Sequence, residues 1–352
     1  MYELEKHIHN GVAFFYVWSG IPWSREDLIR DASRKDVHTI VVFAHEEWET
    51  LHIGTTHREI KDLIKKIGDT KLHIFYGGVK HQMNKRQEVA LSPYYESWIN
   101  YFAHVVVDRH HQINFPLRNP KMGDLKKHFV SMNGRPHYHR CMFIDEMYGR
   151  GLFDYGYISW HEFDIEDYVD SNEWKYWTPH KMEFDKNFQQ TNGICDIFIP
   201  PEQFSNSVFS IISESNLNCI FFTEKTWLPI YNQKPILLYT HPYAHQYLKR
   251  QGYKLHNNII DYSFDHVEDD EKRLMMFMDQ VEKICTYDVN ELFNHTLSVA
   301  IHNRNMLLKH VKQRKFVPDS LIKICEKFKN QDQIEYYHRV LNIGDYIEKA
   351  KE

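Results

Sequence analysis

The feature that most constrains the fold is an alternation, in the N-terminal part of the chain, of short apolar runs with longer segments of helical spacing. The apolar runs read GVAFFYVW, HTIVVFAH and KLHIFYGG, and the segments between them read SREDLIRDASR and REIKDLIKKIG. Short runs rich in β-branched side chains predict buried strands, and apolar residues three and four apart predict amphipathic helices. Strands that alternate with helices indicate a parallel sheet covered by helices.

The same alternation continues along the chain after an interruption. We predict a helix over 93–103, a strand over His104–Asp108, and a linker over 109–126, where two prolines and a glycine break the pattern. Later segments, in order, are HFVSM, PHYHRCMFIDEMYGRG, LFDYGYISW, FSIIS, TEKTWLPIY, PILLY and AHQYLKRQG. From about Asp269 the pattern is helical.

This organisation predicts an α/β chain of two tandem Rossmann-like βαβ domains. The first domain is expected over residues 1–118 and the second over residues 119–315, with a helical segment over 316–352. For that last segment, packing against the first domain is an open alternative.

Charge and composition narrow the functional classes. The formal net charge is −5, from 43 basic and 48 acidic side chains, so the chain offers no overall positive field for nucleic acid. The five cysteines form no CxxC pair, and no apolar stretch approaches the length of a membrane span. The N-terminus lacks the pattern of a secretory signal. We therefore expect no membrane association and a cytoplasmic location, in the host cytoplasm if the protein is viral.

The sharpest motif is SESNLNCIFFTEK, which joins a predicted strand end to a predicted helix start. Thr223 is a good N-cap, and the unpaired amides and positive dipole end of the helix favour a phosphate, to which Lys225 adds a full charge. Glu224 is placed to accept hydrogen bonds from ribose hydroxyls. The alternative is a capped surface helix whose Glu224 and Lys225 are solvated.

A second motif, FVSMNGRPHYHR, supports a phosphate site. Asn133 lies in a predicted tight turn, and Arg135 and Arg140 are about a turn and a half apart if both are helical. Either guanidinium would bind a diphosphate in a bidentate way, and Arg140 is the preferred candidate. The alternative is a surface pair bonded to Asp145 and Glu146.

At these two motifs the sequence resembles the sugar-nucleotide domain of α-1,3-fucosyltransferases and of related glycosyltransferases from phages and large viruses. In that family a strand ending Ser-Asn leads to an Arg-bearing helix, and a Phe-Glu-Asn strand end precedes Tyr-x-Thr-Glu-Lys. The resemblance covers roughly residues 127–265. It implies a GT-B-type fold, with two domains facing a cleft and the donor on the second domain.

The resemblance also assigns roles to individual residues. Arg140 would contact the phosphates, Glu224 the ribose and Lys225 the diphosphate, and Phe221 stands where the family has a tyrosine. The expected donor-binding set is completed by Asn133, Arg135, Glu214 and Thr223.

The activity implied is transfer of a sugar from a GDP- or UDP-linked donor to a hydroxyl acceptor, with inversion. The acceptor is a glycan, a protein or a hydroxylated DNA base, and the net charge disfavours DNA. Transfer needs a base for the acceptor proton. Glu46 and Glu47 follow the strand Thr39–Ala44 and are the first candidates, with Asp108 in reserve. A solvated acidic loop is the alternative for both glutamates.

No metal site is predicted, because no HExxH motif or third ligand accompanies the paired histidines. Magnesium held mainly by the donor diphosphate is an open alternative to metal-free transfer. The competing functional class is a non-catalytic nucleotide- or glycan-binding protein on the same fold.

Overall fold

A computed structural model describes residues 7–17, 29–31, 33–44, 65–66, 72–76, 95–97, 102–103, 106–107, 110–111, 116–133, 137–160, 200–215, 217, 219–313 and 319–327. The chain divides into two compact units. The first unit comprises Met1–Val105, Asn218–Phe222 and Val311–Glu352, and the second comprises Val106–Leu217 and Thr223–His310. The domain bounds expected from the sequence, after residues 118 and 315, stay predictions.

The first unit contains a five-stranded sheet in sequential order. Its strands are β1 (His7–His9), β2 (Val12–Val17), β3 (Thr39–Ala44), β4 (Leu72–Tyr76) and β5 (Tyr95–Ser97). β1 runs antiparallel to β2, and the strands from β2 to β5 are parallel to one another. The buried apolar side chains of Val12, Ile40 and Ile74 show why these runs form internal strands.

Two sequence predictions near residue 100 are wrong. Within residues 93–103, where a helix is expected from the sequence, Tyr95–Ser97 form the strand β5. This strand pairs with β4, with Tyr95 opposite Ile74. Val106 and Val107, expected in a strand that ends at Asp108, are helical and fully buried. Local spacing did not predict β5 because its hydrogen bonds come from a strand some twenty residues earlier, and pairing of this kind overrides local propensity.

The second unit contains a four-stranded sheet in which all neighbouring strands are parallel. Its strands are β6 (Lys127–Asn133), β7 (Gly156–Trp160), β8 (Ser207–Ser213) and β9 (Ile236–Tyr239), in the order β7-β6-β8-β9. Every residue of β8 and β9 is buried, including the three serines of β8, as expected of strands covered on both faces. The structure is thus α/β with parallel sheets, as predicted.

Seven α-helices have assigned bounds within the described residues. They are α1 (Tyr138–Gly149), α2 (Glu202–Ser205), α3 (Glu224–Tyr231), α4 (Ala244–Arg250), α5 (Asp270–Cys285), α6 (Val289–Lys312) and α7 (Asp319–Lys327). Short 3-10 helices cover Leu152–Tyr155 and Tyr262–His266. The helical pattern predicted from Asp269 onward is confirmed where the chain is described, over α5, α6 and α7. Asp269 itself caps α5 by accepting a hydrogen bond from the Lys272 amide at 2.7 Å.

The strand predicted over LFDYGYISW is shorter than expected. Its first four residues form the 3-10 helix Leu152–Tyr155, and β7 begins only at Gly156. A glycine is required there because a Cβ atom would lie 2.1 Å from Cε2 of Phe129 on the neighbouring strand. The absence of a side chain at Gly156 lets the backbone at the start of β7 lie against the Phe129 ring.

The core of the second unit holds the sheet against α1 and α5. Phe129 and Phe209 from the sheet, Phe143 from α1 and Phe277 from α5 are fully buried in one apolar cluster. A core of such closely packed rings has little freedom to shift. It therefore fixes where the strands end and where α1 begins.

Candidate functional site

The predicted donor-binding residues of the second unit gather where β6 and β8 end. β6 leads through α1 to β7 on one side of the sheet, and β8 leads through α3 to β9 on the other side. The order of the strands reverses between β6 and β8, and ligands of open parallel sheets bind at such a reversal, beyond the carboxyl ends of the strands. Asn133 and Ser213 are the last residues of the two strands.

Glu214 follows β8 directly, and its carboxylate ties the strand end to the start of α3. Oε1 accepts hydrogen bonds from the Thr223 amide at 3.1 Å and the Thr226 hydroxyl at 2.5 Å. Oε2 accepts from the Thr223 hydroxyl at 2.7 Å and the Ser215 amide at 3.2 Å. Both oxygens are thus occupied by groups of the protein itself. Glu214 positions the loop and the helix around the site.

The N-terminus of α3 is capped as predicted, and three of the amides there have partners within the chain. The Thr223 hydroxyl accepts a hydrogen bond from the Lys225 amide at 3.3 Å. The Thr223 amide donates to Glu214, and the Thr226 amide donates to the Thr223 carbonyl. These three amides therefore already have partners within the chain, and phosphate binding at this helix start stays a prediction. Positive charge at this edge comes from side chains, with the helix dipole in support.

Arg140 reaches from α1 to the end of β8 and is 2% exposed. Its Nε donates to the Ser213 carbonyl and one terminal nitrogen donates to the Ser215 hydroxyl, both at 3.3 Å. The preceding residue, His139, donates from Nε2 to the Glu214 carbonyl at 2.8 Å. The first turn of α1 is thereby bonded to the segment that follows β8.

Glu224 and Lys225 form an ion pair in the first turn of α3. Oε1 of Glu224 lies 2.7 Å from Nζ of Lys225, and both side chains are less than one fifth exposed. Burial alone would raise the pKa of Glu224, but the charge and hydrogen bond of Lys225, together with the charge of Arg140, lower it below its usual value. Arg140 bonds to Ser213 and Ser215, and Glu214 between them bonds to the first turn of α3, so the two cations predicted from separate motifs lie at the same end of the sheet.

The charges described at this edge are balanced. Two cations, Arg140 and Lys225, are accompanied by two carboxylates, Glu214 and Glu224. Burial, followed by the charge of Arg140, lowers the pKa of His139 to about 3, so its imidazole is neutral near pH 7. An anionic ligand would therefore compete with Glu224 for the Lys225 ammonium.

The other predicted residues divide into two groups. Phe221 belongs to the first unit, where it is 1% exposed and packs edge-on against Phe102 with ring centroids 5.9 Å apart. The residues that lie outside the described part of the chain are Arg135 and the candidate bases Glu46, Glu47 and Asp108.

Three residues at this edge were not predicted individually. His139, Ser213 and Thr226 each make hydrogen bonds there or end a strand there. The sequence places each of them near a predicted feature: His139 is next to Arg140, Ser213 ends a predicted strand, and Thr226 lies in the first turn of a predicted helix. None of these signals specifies a contact that depends on the loop between β8 and α3.

Neither a metal centre nor a membrane span is found within the described ranges. No three His, Cys, Asp or Glu side chains there come together in a way that would hold a metal ion. Of the helices in those ranges, none combines the length and apolar character needed to cross a bilayer.

The hydrogen bonds of Glu214 lead to a test of its positioning role. Four N–H and O–H groups donate hydrogen bonds to the Glu214 carboxylate. Glu214→Gln replaces one carboxylate oxygen with an NH2 group, which is itself a donor, so the hydrogen bonds to that oxygen are lost. We expect the free energy of unfolding to fall by about 3 kcal/mol, measured by urea denaturation. Glu202→Gln, at an exposed position of α2, is the matched control. Equal stability of the two variants would contradict the role assigned to Glu214.

No protein-family model matches this chain. No curated protein and no solved structure matches it either. We therefore infer its function from its own residues.

Proposed function

We propose that this chain is an inverting glycosyltransferase that moves a sugar from a GDP- or UDP-linked donor to a hydroxyl acceptor. The observation that carries the proposal is the hydrogen-bonded strand end at which Arg140 bonds to Ser213 and Ser215, while the Glu214 carboxylate between them bonds to the first turn of α3, which carries Lys225. The two cations come from helices that follow β6 and β8, the strands between which the sheet order reverses. The motif resemblance to α-1,3-fucosyltransferases is the second support.

The diphosphate of the donor would bind between the two cations. Arg140 is held by the Ser213 carbonyl and the Ser215 hydroxyl, so its guanidinium is oriented before a ligand arrives. The one bond described for the Lys225 side chain is the one to Glu224. Transfer of the Lys225 ammonium from Glu224 to a phosphate oxygen would leave the Glu224 carboxylate available to accept from ribose hydroxyls.

The same two cations would support the chemical step. In an inverting transfer the acceptor oxygen bonds to the anomeric carbon while the bond from that carbon to the diphosphate breaks. Negative charge develops on the leaving diphosphate, and fixed cations stabilise it. A carboxylate takes the proton of the acceptor hydroxyl, and Glu46, Glu47 and Asp108 are the proposed candidates.

The proposal includes a GT-B-type arrangement, with the donor on the second unit and the acceptor on the first. The acceptor is a glycan or a protein, with a modified DNA base as the less favoured case given the net charge of −5. Transfer without an obligatory metal is the form proposed. Adding EDTA to the turnover assay tests this form against transfer that depends on magnesium.

The role of the two cations is tested by conservative variants. Lys225→Met removes the charge but keeps the stem, and Arg140→Lys keeps the charge but loses the guanidinium that Ser213 and Ser215 orient. We expect calorimetric titration to show binding of GDP or UDP about tenfold or more weaker in each, as for loss of a charge-assisted hydrogen bond. Lys249→Met, at an exposed position of α4, is the matched control and should bind like the parent. Unchanged affinity in both site variants would remove the assignment.

An enzyme is distinguished from a binding protein by turnover. The parent should hydrolyse a sugar nucleotide slowly without acceptor, and Glu46→Gln or Glu47→Gln should lower transfer to an acceptor by about 10²-fold or more while donor affinity is kept. Nucleotide binding with neither hydrolysis nor transfer would favour the non-catalytic function. Parental turnover in both single variants and the double variant would make Asp108→Asn the next substitution to measure.

A further inference from the structure

Two buried polar atoms at the reversal of the sheet have no hydrogen-bond partner within the described part of the chain. They are Oδ1 of Asn133 and Oγ of Ser213, on residues that are 1% and 0% exposed. A buried polar atom without a partner costs about 1–3 kcal/mol, and most buried polar atoms in proteins are paired. Two such atoms at one place therefore call for an explanation.

The two atoms belong to neighbouring positions on adjacent strands. β6 and β8 pair in parallel, and the last pair described is Val130 opposite Ser210. The same register carried three residues further, to the last residue of each strand, places Asn133 opposite Ser213. Side chains at paired positions of adjacent strands point to the same face of a sheet. Both residues thus lie at the edge where a ligand of a parallel sheet binds.

The hydrogen bonds of Asn133 define which chemistry its free oxygen would accept. Its Nδ2 donates to the Ser131 hydroxyl at 3.0 Å and more weakly to the Ser131 carbonyl at 3.4 Å. With the amide nitrogen used in this way, Oδ1 is left as an acceptor. An acceptor of this kind repels phosphate oxygens and binds an O–H or N–H group. The Ser213 hydroxyl serves as acceptor or donor.

We propose that Asn133 Oδ1 and Ser213 Oγ bind an uncharged hydrogen-bond donor of the nucleotide sugar, a sugar hydroxyl or an N–H group of the base. The proposal rests on the function proposed above, because it takes the ligand to be a nucleotide sugar. The phosphate site adjoins this position, since the Ser213 carbonyl accepts the hydrogen bond from Arg140 Nε. Asn133 and Ser213 would then determine which base or sugar is accepted, while Arg140 and Lys225 bind the diphosphate common to all donors.

Ser213→Ala separates a ligand contact from a structural role. The variant deletes a hydroxyl that has no described partner, so unfolding in urea without ligand should require as much free energy as in the parent, or more. Affinity for the ligand should nevertheless fall about three- to tenfold, as for loss of one hydrogen bond to an uncharged group. Ser210→Ala is the matched control, because Ser210 is 1% exposed on the same strand three residues earlier.

The ligands for titration are GDP, UDP, GDP-mannose and UDP-glucose. An equal loss with the nucleoside diphosphate and its sugar-linked form assigns the donor group to the nucleoside, and a loss confined to the sugar-linked form assigns it to the sugar. Asn133→Ala is the second variant. It should lose affinity in the same pattern, with lower stability because its bonds to Ser131 are also removed.

The inference is overturned if Ser213→Ala and Asn133→Ala bind every ligand as tightly as the parent while Lys225→Met binds more weakly. In that case an internal water satisfies the two atoms, and the proposed function stands. If the parent binds none of the four ligands, or if Lys225→Met and Arg140→Lys both bind them as the parent does, the proposed function and this inference both fail.

Discussion

The site depends on one buried carboxylate, that of Glu214. It is an acceptor for groups on both sides of the loop between β8 and α3, so the strand end and the helix start hold a fixed relation to each other. The carbonyl of the same residue accepts from His139, which brings the start of α1 into this relation. A charge buried in this way is tolerated because each oxygen is fully hydrogen-bonded. Arg140 and Lys225 are placed by this arrangement.

Electrostatics at this edge have a consequence for binding. Among the residues that the structure describes at this edge, two cations balance two carboxylates, and the ion pair of Glu224 and Lys225 is mostly shielded from water. A diphosphate would replace Glu224 as the partner of Lys225 and carries more negative charge. The released Glu224 carboxylate would accept hydrogen bonds from ribose hydroxyls. Affinity would then come from an exchange of partners, which favours ligands that carry both a diphosphate and a hydroxylated ring.

Some of this structure could be predicted from the sequence because its causes are local. β8 and β9 follow from short segments rich in apolar residues, and the cap of α3 follows from Thr223 before a charged first turn. The role of Glu214 could not be predicted, because its partners Thr223 and Thr226 lie nine and twelve residues away across a loop. β5 was missed for the same physical reason, since its partner strand is distant along the chain. Contacts made by loops and strand pairing depend on the folded sheet.

The proposed function requires a nucleoside diphosphate to bind beyond the carboxyl ends of β6 and β8. Hydrogen–deuterium exchange of the parent protein, followed by mass spectrometry with and without saturating GDP or UDP, tests it most directly. We expect slower exchange in peptides that cover residues 131–141 and 213–226, with no change in α5. Unchanged exchange in both segments, whether or not another part of the chain becomes protected, would contradict it.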